Sequence, residues 1–255
     1  MTQPTFSSEQ IKRYSRQLVQ PEFGFEGQSK LMDSSVLIIG LGALGCPAAM
    51  YLSSMGCGRI GLMDDDTVEL SNLHRQILFS EDDLGKSKIL TAAEKITKMN
   101  NNVTLGLIEL RADPENLTPL ILSHDIVLDA TDTFAAKSLI NRKCCELGKP
   151  LVSGGALGRD GQILSVFPGE SPCFACVFGD QSDDDDCLGT CAEAGVIPTV
   201  TGLVGSLMAN EALNILTGKG RNLAGRLLLV NSAESTFFET ETAFRKNCFC
   251  SAKKL

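Results

Sequence analysis

The sequence predicts an α/β protein built on a mostly parallel sheet, and three observations carry that prediction. Short apolar, β-branched runs alternate with helix-like segments over the first 150 residues, the pattern of parallel strands joined by crossover helices. The first such run ends in GLGALG, residues 40–45, a glycine-rich turn between a strand and a helix. Beyond residue 150 the pattern changes to strands joined by a tight Gly-containing turn, which predicts antiparallel pairing. Together they specify a Rossmann-like nucleotide-binding sheet, parallel in its first half and continued by antiparallel strands. With no repeat and no linker in view, residues 1–255 read as one domain, divided into a nucleotide-binding half (1–150) and a second half (151–255).

Each element has its own signal. SEQIKRYSRQL is amphipathic and predicts a helix with Ser8 as N-cap. SVLIIG (35–40) is a buried-strand run, Ala43–Met55 an Ala-, Met- and Leu-rich helix, and RIGLMD a second strand ending on Asp64. A helix over Lys86–Met99, a strand near Val103–Leu110 and a short helix around Asn116–Leu122 follow. DIVLDATD (125–132) is another buried-strand pattern, and Ala135–Leu147 a helix. PLVSGGALGRDGQILSVF predicts two strands about a turn at Arg159–Gly161. A loop region of about forty residues comes next, then a helix from Val200 to Leu216 and two strands, RLLLVN and STFFETETAF.

Composition excludes several function classes. The net charge is −8 with no run of Lys and Arg, which argues against a nucleic-acid backbone as partner. No apolar run reaches the roughly 18–20 residues of a membrane span. MTQPTFSSEQIKRYSRQ lacks the apolar core of a secretory signal, so a cytoplasmic protein is expected. The acidic run Asp183–Asp186 reads as a solvated loop. In that setting ten cysteines point to metal or thiol chemistry rather than a disulfide framework. Cys173 and Cys176 form a C-x-x-C pair, the spacing with which two thiolates share one zinc, and Cys248 and Cys250 would complete four ligands. Free or disulfide-forming thiols are the alternative. Cys187 and Cys191 flank the acidic run, while Cys46, Cys57, Cys144 and Cys145 read as small buried residues of helices.

Gly40, Gly42 and Gly45 have the G-x-G-x-x-G spacing, with Asp64 placed for a ribose hydroxyl. NAD and ATP share an adenosine half, so this much does not separate them. The peptide DDDTVELSNLHRQ, residues 64–76, does. Hydride transfer has little need of cations near the end of the second strand, whereas cleaving ATP develops charge that Arg, Lys and metal ions stabilise. Arg75 and Lys88 fall on the sheet edge where such folds bind ligands, and Asp132 at the same edge is a candidate magnesium ligand. An NAD-dependent oxidoreductase would use only the glycines and Asp64. His74 and His124 sit in no constellation suggesting a base.

RYSRQL, VLIIGLGALG, DDDTVELSNLHRQ, GKSK, DATD and CAEAG, in this order and spacing, resemble the MoeB/ThiF/HesA family, bacterial relatives of ubiquitin-activating enzymes. TVELSNLHRQILF and TCAEAGVIPTVTGLVGSL are most similar to the molybdopterin-linked branch. The resemblance implies ATP-dependent adenylation of the C-terminal Gly-Gly of a ubiquitin-fold sulfur-carrier protein, in molybdopterin or thiamine biosynthesis, with release of pyrophosphate. It implies that Asp64 holds the ribose and Gly42 lines the nucleotide loop. It assigns Asn72, Arg75 and Lys88 to the phosphates, and Asp132 to magnesium and the reacting α-phosphate. Arg16 resembles an arginine supplied from the other protomer of a homodimer. Cys191 stands at the family's reactive-cysteine position. Two departures stand out: Thr133 replaces an Asn common after Asp132, and C-x-C at 248–250 replaces the usual second C-x-x-C. A tRNA-modifying branch of the same fold and a non-catalytic carrier-binding module are the competing implications.

Overall fold

β1 (Ser35–Ile39) is buried at all five positions, as a central strand covered on both faces must be. The computed structural model describes residues 6–179 and 195–250. In it β1 pairs in parallel with β2 (Arg59–Met63) on one side and β4 (Ile126–Asp129) on the other. β3 (Thr104–Ile108) extends the sheet beyond β2, and β5 (Leu151–Leu157) beyond β4, also in parallel. From β5 the direction alternates through β6 (Asp160–Val166), β7 (Arg226–Asn231) and β8 (Thr236–Glu241). One eight-stranded sheet results, in the order β3-β2-β1-β4-β5-β6-β7-β8.

The strands' two faces feed two cores. Val36 and Ile38 join the first core, Leu37 and Ile39 the second, as the period of two along a strand requires. The helices are α1 (Ser8–Arg13), α2 (Ser15–Leu18), α3 (Gly24–Met32), α4 (Gly45–Met55), α5 (Lys88–Met99), α6 (Pro114–Leu122), α7 (Phe134–Leu147), α8 (Phe174–Phe178) and α9 (Pro198–Thr217). α4, α5 and α9 supply the first core; α6, α7 and α8 the second. Gly205 permits the close crossing of α9 over α4, because a Cβ there would lie 2.4 Å from Leu44 O.

Several boundaries depart from the sequence expectation. The first helix is two, broken at Tyr14, which is buried and accepts a hydrogen bond from Asn100 Nδ2 at 3.0 Å. Its cap is Ser7 rather than Ser8, in a reciprocal pair of hydrogen bonds with Gln10. The β5–β6 turn is Gly158–Arg159, with Asp160 and Gly161 already paired in β6. Gly158, at φ +57°, supplies the left-handed first position such a two-residue turn needs. α3 had no expectation, because FGFEGQSKLM hides its short apolar face among glycines and polar residues. α8 occupies part of the segment expected to be all loop.

Candidate functional site

β1 diverges to β2 and β3 on one side and to β4 and β5 on the other, which opens a crevice at the strands' C-terminal ends. The glycine loop lies there. Gly40, at φ +89°, donates to Met63 O at 2.8 Å, and a Cβ on it would stand 2.8 Å from Ala130 O. A Cβ on Gly45 would meet Gly40 O at 1.9 Å. Those two glycines are therefore required by the turn itself. Gly42 differs, since a Cβ there would meet nothing nearer than Gln76 Nε2, at 3.7 Å. Gln76 is buried, and its Oε1 has no hydrogen-bond partner among the described residues.

Asp64 follows β2 and fastens this loop. Its Oδ2 accepts the Leu41 N–H at 2.6 Å and its Oδ1 the Asp66 N–H at 2.9 Å. Asp66 in turn meets Lys88, whose Nζ stands 2.8 Å from Asp66 Oδ2. Lys88, expected as a phosphate ligand, has a side chain only 4% exposed, while that of Asp66 is 66% exposed. The reason is local. Ser87 caps α5 by accepting the Leu90 N–H, and Lys88 N–H donates to Asp66 O, so the side chain turns inward along the acidic peptide.

Asn72 lies in a 3-10 turn, Leu70–Asn72, and its carbonyl accepts the N–H groups of Arg75 and Gln76. Arg75 Nη1 donates to Ser71 O at 2.9 Å and sits 2.7 Å from His74 Nε2. The guanidinium is thus held by its own turn, with no carboxylate paired to it among the described residues. His74 is exposed, and His124 is buried against Leu120 O at 2.7 Å.

On the other side of the crevice, Asp132 is exposed and makes no hydrogen bond or ion pair with another described residue. The loop that carries it is strongly held. Asp129, fully buried at the end of β4, accepts the Thr131 N–H and hydroxyl through Oδ1, at 3.1 and 2.6 Å. Through Oδ2 it accepts the Ser153 hydroxyl at 2.7 Å and the Lys137 ammonium at 3.3 Å. Lys137 also donates to Gly154 O at 2.6 Å. Sequence reasoning missed Asp129, Lys137 and Gln76. The available signal was a carboxylate closing the otherwise apolar strand IVLD. Thr133, the departure from Asn, caps α7 by accepting the Ala136 N–H at 3.3 Å, a role either residue fills.

Arg16, on the exposed side of α2, makes no hydrogen bond or ion pair with a described residue, and nothing joins it to this crevice within the single chain. Cys191, Cys187 and the acidic run lie outside the described residues.

A second constellation sits apart from the crevice. Cys173 begins α8, Cys176 lies within it, and Cys248 and Cys250 approach from the tail. The Sγ atoms of 173 and 176 are 3.8 Å apart, of 173 and 248 3.6 Å, and of 176 and 250 3.4 Å. All four lie within 4.8 Å of one another. Zinc–sulfur bonds of tetrahedral geometry require sulfur separations of about 3.8 Å, so the donor set fits zinc. A hydrogen bond from Cys145 foremost, opposed by burial, holds the Cys173 thiol down at about 4, while burial pushes Cys248 up to about 11.

A glycine loop at a sheet switch point, held by an acid from the next strand, defines an α/β protein of nucleotide-binding architecture. The chain belongs to the ThiF family, which matches residues 14–252. It is 43% identical over 251 residues to the adenylyltransferase and sulfurtransferase MOCS3 of Drosophila sechellia, covering 98% of this chain and 55% of that protein. To MOCS3 of Xenopus laevis it is 41% identical over 237 residues, 93% of this chain and 52% of the relative. The chain spans about half the length of these curated relatives. The crystal structure of E. coli MccB with ATP superposes with a TM-score of 0.83 at 23% identity, covering 96% of this chain and 75% of that one. The crystal structure of PaaA gives 0.78 at 24%, covering 96% and 77%. At such identities the likeness is one of fold. No helix among the described residues is long and apolar enough to cross a membrane.

Proposed function

We propose that this chain is a cytoplasmic adenylyltransferase that uses ATP to cap the C-terminal glycine of a ubiquitin-fold sulfur-carrier protein ending in Gly-Gly, releasing pyrophosphate. One observation carries the reading: the glycine loop lies against three segments that bear candidate charges, those of Asp64, Arg75 and Asp132, and Asp66 next to Asp64 pairs with the fourth charge, Lys88. It is bonded to Asp64 through the Leu41 N–H, follows Ile39, whose carbonyl accepts the Ala130 N–H of the Asp132 loop, and runs beside Gln76 of the Arg75 segment, which a Cβ on Gly42 would approach to 3.7 Å. An NAD oxidoreductase would leave Arg75, Lys88 and Asp132 without employment.

In this reading the open space over Gly42 admits the nucleotide's phosphates to backbone N–H groups. Asp64 keeps the loop in place and offers its remaining lone pairs to the ribose. Asn72 and Arg75 contact the phosphates from their own turn, and Lys88 exchanges Asp66 for a phosphate oxygen. The carrier's carboxylate is ionised at neutral pH, so it attacks the α-phosphorus without a base. Arg75 and Lys88 stabilise the charge that builds on the departing pyrophosphate. Asp132, a carboxylate with no described partner, suits magnesium, which when bound neutralises phosphate charge. Arg16, which is exposed and paired with no described residue of its own chain, would reach the phosphates of a second protomer. The relatives' name, adenylyltransferase and sulfurtransferase, supports the first activity. Which carrier is taken decides between molybdopterin and thiamine biosynthesis. Cys173, Cys176, Cys248 and Cys250 would hold a structural zinc that pins the tail to α8.

The test is pyrophosphate–ATP exchange, carrier by carrier. Asp132→Ala and Arg75→Ala are each expected to lose exchange by about a hundredfold or more. Full exchange in both variants would remove the site, and no exchange with any Gly-Gly carrier would remove the function.

A further inference from the structure

Four amide side chains are buried among the described residues: Gln28, Gln76, Asn100 and Asn141. The fold holds three of them. Gln28 Nε2 donates to Met55 O at 2.9 Å, and Asn100 Nδ2 to the Tyr14 hydroxyl and Ser53 O at 3.0 and 2.7 Å. Asn141 Oδ1 accepts the Phe174 N–H at 3.0 Å. Gln76 is the exception. Although it is only 4% exposed, its Oε1 has no partner and its Nε2 is bonded to no described residue. Its backbone is fully used, since the N–H donates to Asn72 O at 2.9 Å and the carbonyl accepts the Phe79 N–H at 3.1 Å. Leu78 and Phe79 then enter the first core and draw Gln76 inward with them. An amide shielded from water without a partner lowers stability, so the fold by itself gives no reason for glutamine here.

The direction of the side chain supplies the reason. Nε2 stands 3.7 Å from the place a Cβ on Gly42 would take, and no other atom outside the neighbouring residues lies within 4 Å of that point. Leu44, two residues on, opens the 11-residue helix α4 without a side-chain cap, so the first N–H groups of the helix also face this space. Donors thus converge from the loop backbone and from Gln76, and converging donors suit an anion. We propose that Gln76 is a nucleotide-binding residue whose carboxamide donates through Nε2 to a phosphate oxygen of ATP lying over Gly42. Being short, neutral and fixed by the core behind it, the amide sets where the phosphate rests, while the neighbouring Arg75 supplies charge. The vacant partner of the free protein is filled when the nucleotide arrives.

The inference rests on the reading that the glycine loop binds ATP, and its test separates the two. The whole chain is compared as wild type, Gln76→Leu and Gln76→Glu, by calorimetric titration with magnesium and ATP and by urea unfolding without nucleotide. Gln76→Leu is expected to unfold at a urea concentration equal to or above that of wild type, because an unpaired amide has been removed, and to bind ATP about tenfold more weakly. Gln76→Glu should fold and bind ATP more weakly still, because its carboxylate faces the phosphates. Unchanged ATP affinity in Gln76→Leu would overturn the proposal and leave the nucleotide reading standing. A lowered urea midpoint in Gln76→Leu, failure of either variant to fold, or Gln76→Glu binding ATP no more weakly than Gln76→Leu would also overturn it, since each means that the side chain serves the fold rather than the ligand. A wild-type chain that binds no ATP would remove the nucleotide reading and the proposal together.

Discussion

The Asp64 carboxylate accepts the Leu41 backbone N–H at 2.6 Å, so the end of β2 holds the loop that follows β1. Because the other oxygen accepts the Asp66 N–H, one side chain organises both the glycine turn and the acidic peptide leading to Lys88. Asp64→Ala should cost about 1–3 kcal/mol by orphaning these donors, and ATP affinity should fall at least tenfold. Urea unfolding and ATP titration check both. A variant that binds ATP as tightly as wild type would show that the loop holds its shape unaided.

Lys88 stands between two partners. In the free protein it pairs with Asp66, and in the proposed reaction it turns to phosphate. Asp66→Asn should therefore lower stability by about 1–3 kcal/mol, because a mostly buried ammonium loses its counter-charge. ATP would restore that charge, so the KM for ATP should drop severalfold with kcat little changed. A raised KM would show instead that Asp66 positions Lys88.

The pair Asp129–Lys137 is buried on both sides. Lys137→Met should destabilise by about 3–5 kcal/mol, since Asp129 is left charged and uncompensated. The double variant Asp129→Asn, Lys137→Met should recover part of that loss. Denaturation midpoints decide it, and equal losses in single and double variants would refute the coupling.

Acid stability reports on Asp83. Burial by itself would push its carboxyl up, but the Lys95 ammonium with the Ser80 hydroxyl and N–H outweighs it and holds the group at about 2, below the ordinary 3.8. A depressed carboxyl contributes fully above the unfolded-state value and loses that contribution as pH falls through 3.8 toward 2. Asp83→Asn should thus lose less stability than wild type between pH 5 and 3, read as urea midpoints at each pH. Parallel losses in the two proteins would count against the assignment.

Local chemistry explains what could be read in advance. The glycine turn, the alternation of strand and helix and the C-x-x-C pair each depend on residues near one another in the chain, and all three stand in the structure. The helix boundaries were less legible. Tyr14 breaks the first helix because its hydroxyl is drawn to Asn100, 86 residues away, and Gly158 rather than the Arg159–Gly161 peptide makes the β5–β6 turn through its left-handed backbone. The four cluster cysteines were visible as residue types, but nothing in the order of residues reveals that the sulfurs of Cys176 and Cys250 stand 3.4 Å apart.

By itself the sequence determined the sheet's parallel and antiparallel halves and where its glycine loop falls, because periodicity and turn chemistry act over a few residues. Only the tertiary structure decided which charges are paired. Lys88 with Asp66 and Lys137 with Asp129 follow from desolvation, and desolvation depends on packing contributed from the whole chain rather than on neighbours in sequence.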